Sequence, residues 1–112
     1  MKTFTADVLG LKMCVRVLPT PEDVARQVKQ HDPESPDALE GAYLWVKERD
    51  RHLVWFAEET LSHAVIVHEA AHIGLRNMAS PSDNYEEDLV YRIEEAYVHL
   101  ATALRFRGLL AG

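Results

Sequence analysis

The chain has 112 residues, 12 basic and 18 acidic side chains, a formal net charge of −6, and apolar and charged fractions of 47% and 27%. These are the values of a soluble globular protein of one domain with one core, and the acidic balance disfavours nonspecific nucleic-acid binding. One cysteine, Cys14, excludes an internal disulfide framework, no run reaches the length of a membrane-spanning helix, and the first residues lack a signal peptide's apolar core; a reducing, cytoplasmic setting with no membrane partner is expected.

Residues 3–17 alternate loosely between apolar and polar, with Phe4, Ala6 and Val8, then Leu11, Met13, Val15 and Val17. That period predicts two half-buried strands with a turn near Gly10, ending at Pro19. Cys14 falls on the minority face and reads as a small strand residue. Thr20-Pro21-Glu22-Asp23 is a helix start: a capping hydroxyl, a proline suited to the first turn, and two acids at the positive end of the dipole. Val24, Ala25 and Val28 give a short apolar stripe, so a helix to about Gln30 is expected to cover the sheet. Residues 31–41 read as a loop from two prolines and their polarity. His31 and Asp32 lie there, either solvated or in support of a site.

Residues 42–46 and 53–57 are two apolar, aromatic runs separated by Lys47-Glu48-Arg49-Asp50-Arg51-His52, which predicts a β-hairpin with a solvated tip. Glu58 and Glu59 lead into a second helix, capped by Thr60 or Ser62. Its Gly74 weakens the helix and suits close approach of another backbone. After a break at residues 80–84, Asp83 and Glu86 read as a capping box. A long helix from about Asn84 to Phe106 follows, with a core stripe of Leu89, Ile93, Ala96, Leu100 and Leu104 and with Gly108 just past its end.

The second helix carries His68-Glu69-Ala70-Ala71-His72, an H-E-x-x-H motif. Positions i and i+4 share one helical face, so both imidazoles can aim at one point. Zinc accepts neutral imidazoles that converge in this way. Glu69 points to the flank, where it can reach a water on the metal, so the motif reads as two ligands and a general base. Ala64, Val65, Ile66, Val67, Ala70, Ala71, Ile73 and Leu75 surround the motif. A helix apolar all round is expected to be buried, where two imidazoles and a carboxylate need a partner such as a metal. A surface helix with two spaced histidines is the plain alternative.

A catalytic zinc usually has three protein ligands. The long helix offers Glu94, at the edge of its apolar stripe, and Glu95, nearly opposite that stripe; periodicity alone would leave Glu95 as a solvated charge. The segment Ile93-Glu94-Glu95-Ala96-Tyr97-Val98-His99-Leu100 resembles the ligand-bearing segment of the gluzincins. These zinc metallopeptidases carry H-E-x-x-H on one helix and a glutamate ligand on a following helix, in a segment Asn-Glu-Ala, then apolar and small residues, then Asp. Matched position by position, Glu95 takes the ligand place, Glu94 replaces the asparagine, and His99 stands where the family has an aspartate bonded to the first zinc histidine. Glu95 lies 23 residues beyond His72. The resemblance covers roughly residues 42–107 and is nearest to the minimal members, the minigluzincins, and to the cores of larger relatives such as the ImmA/IrrE peptidases.

The resemblance implies an α+β, zincin-like domain: a small, mainly antiparallel sheet on an active-site helix and a long glutamate helix. It implies a zinc metallopeptidase, latent or highly selective, with His68, His72 and Glu95 as ligands and Glu69 as general base. His99 would support the site, act as a fourth ligand, or, like Tyr91 and His63, stabilise the oxyanion. The partner would be a peptide or protein laid as a strand along the hairpin. Either 42–46 or 53–57 can be that edge; in similar proteins it is often the strand leading directly into the motif helix. The missing aspartate and second subdomain leave a catalytically inactive zinc-binding interaction or regulatory domain as the alternative.

Overall fold

In the computed structural model the described residues are 1–78 and 85–111. Residue 83, and with it the expected capping box, lies outside them. Four strands and three helices follow in the order β1 (Lys2–Val8), β2 (Leu11–Leu18), α1 (Pro21–Val28), β3 (Gly41–Val46), β4 (Arg51–Ala57), α2 (His63–Arg76) and α3 (Tyr85–Phe106). The strands form one sheet in the order β1-β2-β4-β3. Its β1/β2 and β3/β4 pairs are antiparallel and its central β2/β4 pair is parallel, so the sheet is mixed.

The parallel pair follows from the path between β2 and β4. After α1, residues 29–40 bring the chain back beside the start of that helix, where the Leu39 N–H donates to the Pro21 carbonyl at 3.0 Å. β3 therefore starts at the end of the sheet where β2 finishes, runs antiparallel to it, and hands the chain to β4, which pairs parallel with β2. Thr20 caps α1, its Oγ1 accepting from the Asp23 N–H at 3.2 Å. The β1/β2 turn is as tight as its glycine predicts: Leu9 and Gly10 both sit at positive φ, 55° and 76°.

Strand alternation sorts the core onto two faces. On one, Met13, Val15, Val17, Val54 and Phe56 meet Ile66, Ala70 and Ile73 of α2 and Ala96, Leu100 and Leu104 of α3. On the other, Leu53, Trp55 and Ala57 meet Val24 and Val28 of α1. Trp55 is held by its Nε1–H donating to Gln27 Oε1 at 2.9 Å. The single core expected from length is thus two clusters sharing one sheet.

α2 departs from the expectation of a wholly buried helix. Val67 and Leu75 are exposed, as are His68 and His72; of the motif's polar groups only Glu69 is buried. An apolar composition all round does not bury a helix when only one layer is available to cover it. Ser62, not Thr60, is its cap, Oγ accepting from the Val65 N–H at 3.2 Å. α2 crosses α3 at Gly74, where an added Cβ would lie 3.2 Å from Ile93 Cγ1 and 3.4 Å from the Ile93 nitrogen.

Candidate functional site

His68 and His72 are exposed on α2 and share a cavity with residues of β3, with their Nε2 atoms 3.3 Å apart. Two nitrogens bound to one tetrahedral zinc at about 2.0–2.1 Å each stand about 3.3 to 3.4 Å from one another, so the pair already has the separation two ligands need. Burial, then the charges of His68 and Arg76, hold the His72 pKa below the usual imidazole value, favouring the neutral form a metal requires.

Glu69 takes the next position, 100° round the helix, and turns under β3. It is 3% exposed. Its carboxylate lies against Gly41: a Cβ there would come within 3.0 Å of Glu69 Oε2 and 3.2 Å of the Trp55 carbonyl oxygen. Desolvation pushes its pKa up to about 7. His68 and Glu69 line a cavity of about 360 Å³ with residues 38–41. It adjoins a second of about 240 Å³, where His72 and Arg76 face Tyr43 and Leu44. Together they make a trough between α2 and β3.

That trough runs along an edge strand. β3 pairs only with β4, whereas β4 is flanked by β2 and β3. The free rim is therefore residues 41–46, not the strand leading into α2. Residues 53–57 are buried throughout, the pattern of a central strand covered on both faces.

Glu95 is not brought to the histidine pair. α3 meets α2 through Ile93 at Gly74 and through Tyr97, whose hydroxyl lies 2.6 Å from His63 Nδ1. Glu95 is two positions from each of these, about 160° round the helix. Its side chain is 61% exposed, and Oε1 lies 3.8 Å from His99 Nε2. His99 faces β1 and β2, its Nδ1 accepting from the Leu9 N–H at 3.1 Å. Glu94 and Tyr91 are exposed. Among the described residues, no three His, Cys, Asp or Glu side chains gather closely enough to hold a metal ion. The residues present thus fit zinc at two positions and not at the third. His31 packs 5.8 Å from Trp55, on the α1 side of the sheet, and Asp32 accepts from the Glu34 N–H within its own loop.

Two features escaped the sequence reading. His52, assigned to the solvated tip, is 6% exposed. It bonds the Tyr43 hydroxyl through Nδ1 at 2.8 Å. Asn77 Nδ2 donates to that hydroxyl at 2.9 Å, and Arg92 donates to the Asn77 carbonyl at 2.9 Å, so this chain of bonds ties β3 and β4 to both helices. The second feature is Arg76. It continues the His68–His72 line at the same four-residue step, a signal the sequence did contain.

No protein-family model, curated protein or solved structure matches the chain. No helix among the described residues is long and apolar enough to cross a membrane.

Proposed function

We propose that this chain is a small zinc-dependent peptidase of the H-E-x-x-H type, with a zincin-like α+β fold. The 3.3 Å spacing of two exposed imidazole nitrogens beside a buried carboxylate, in a trough along a free strand edge, carries this reading. His68 and His72 would hold the metal. Zinc, when bound, supplies an acidified water and a polarising charge.

The remaining work falls to the chain's own groups. The unpaired N–H and C=O groups of β3 accept an extended peptide as an added strand. Glu69, hemmed in by Gly41, stands beside the peptide and the imidazoles. It takes a proton from the attacking water and returns it to the leaving amine. A cation nearby draws its pKa down from the raised value toward that of a working base.

A second reading has its own support. With Glu95 paired to His99 on the far side of α3, the two histidines form an open half-site. That suits a catalytically inactive zinc-binding interaction domain.

Elemental analysis of the purified chain, with hydrolysis of unstructured peptides with and without chelator, tests both. The peptidase reading expects zinc in wild type and in Glu69→Gln, no zinc in His72→Ala, and hydrolysis in wild type alone. Zinc without hydrolysis leaves the interaction domain. A chain that binds no zinc under any loading overturns both.

A further inference from the structure

The trough holds a charge that the proposed chemistry does not use. Arg76 is the last residue of α2, exposed and one turn beyond His72, and it lines the same wall as His68, Glu69 and His72. Among the described residues it has no ion-pair partner. Its charge reaches across the trough to Tyr43 on β3. The opposite end, beside Ala64 and Val65, is lined by Glu40. The trough is therefore polarised along its length, with a cation at the Leu44 end and a carboxylate at the Gly41 end.

We infer that Arg76 is a specificity residue, selecting peptides that carry a carboxylate at the Leu44 end of β3. This rests on the peptidase reading for the peptide's place along β3. A guanidinium presents paired N–H donors that match a carboxylate's two oxygens. The carboxylate has two sources. An acidic side chain reaches Arg76 from a peptide running in either direction along β3. A free C-terminus reaches it only when the peptide runs in the same direction as β3, ending near Leu44. Because no third His, Cys, Asp or Glu among the described residues joins the histidine pair, a carboxylate drawn to this end also lies beside His72.

The test uses the full-length chain carrying Glu69→Gln, so that peptides persist, and three N-acetylated hexapeptides of uncharged residues. One is amidated and neutral, one is amidated with a single glutamate, and one is neutral with a free C-terminus. Dissociation constants come from amide shifts of residues 41–46. The expected result is tighter binding of one or both carboxylate peptides by about tenfold, the size of one charge-assisted pair. Arg76→Gln removes that advantage while leaving the neutral peptide's affinity unchanged, and Arg76→Lys restores part of it. A glutamate-only preference identifies the side chain as the source, and a free-terminus preference identifies the C-terminus. Equal affinities, no binding of any peptide, or a preference that survives Arg76→Gln overturns the inference. Hydrolysis that needs Glu69 yet ignores carboxylates sinks this inference alone. A carboxylate preference in a chain that neither binds zinc nor cleaves sinks the peptidase reading alone.

Discussion

At the scale of single residues, Glu69 and Gly41 act as a pair. A glutamate 3% exposed needs room, and it has that room because β3 begins with a residue lacking a side chain. Gly41→Ala would press on Glu69 and on the Trp55 carbonyl, which as backbone cannot swing aside. The expected loss is about 1–3 kcal/mol, the usual range for overpacking. Urea unfolding of Gly41→Ala, Glu69→Ala and the double variant checks this. The two should couple, with Gly41→Ala costing less once the carboxylate is gone. Glu69 also sets a pH dependence in the metal-free chain. Its pKa is about 7 when folded and 4.5 as the reference for the unfolded chain. Between those values the native state holds a proton that the unfolded state releases, so stability falls as pH rises through that window. Glu69→Gln should leave stability unchanged below pH 4.5 and raise it above pH 7 by about 3 kcal/mol. Chelator-treated wild type and variant, unfolded in urea across pH 4–8, give the answer; parallel curves would show that burial does not control this carboxyl.

At the scale of elements, how α2 sits between β3 and α3 decides what the motif can do. Two joints hold it. One is the Gly74 crossing, where a larger residue would meet Ile93. Alanine there gains about 1 kcal/mol of helix propensity, comparable with the cost of a slight crowding, so Gly74→Ala should be nearly neutral. Gly74→Leu has no such offset; it should lower the melting temperature and prise α2 from α3. The other joint is the relay His52–Tyr43–Asn77–Arg92. Tyr43→Phe removes the hydroxyl that both His52 and Asn77 use and leaves a buried imidazole nitrogen unpaired. That costs about 1–3 kcal/mol, measurable by urea unfolding. Most of these elements were legible. Alternation located β1 and β2, the apolar runs 42–46 and 53–57 located β3 and β4, Thr20 and the Thr60/Ser62 pair marked helix starts, and Gly74 and Gly108 signalled a close approach and a helix end. Strand order was not legible, because 42–46 and 53–57 have similar composition and only the long-range pairing of one of them with β2 decides which is central. The relay was hidden for a related reason. His52 reads as part of a charged turn until β4 is known to begin at Arg51 and to be buried from residue 52 onward.

At the scale of the whole molecule, the question is whether a metal would hold this fold together or merely occupy it. The sequence showed the two histidines and their common face, since both lie on one helix and helix geometry is local. It could not place Glu95, since that needs the rotation of α3 about its axis, fixed by Ile93 and Tyr97 against α2 and by His99 against the β1/β2 turn. The resulting arrangement makes its own prediction. Neither apolar cluster of the described residues includes the imidazoles, both of which are exposed, and the caps of α1 and α2 are Thr20 and Ser62. A metal here stabilises only by mass action, about 2.7 kcal/mol at a free concentration one hundred times its dissociation constant. This differs from a small domain whose metal is its core. Circular dichroism in excess chelator should therefore show an unchanged helical signal and one cooperative melting transition, with the midpoint displaced downward by no more than that term allows. Glu95→Ala should leave zinc content and this displacement unaltered, while His72→Ala should abolish both. Collapse of the helical signal on chelation would mean that the metal organises α2 and α3 together, and loss of zinc in Glu95→Ala would mean that α3 turns by nearly half a revolution to deliver its carboxylate.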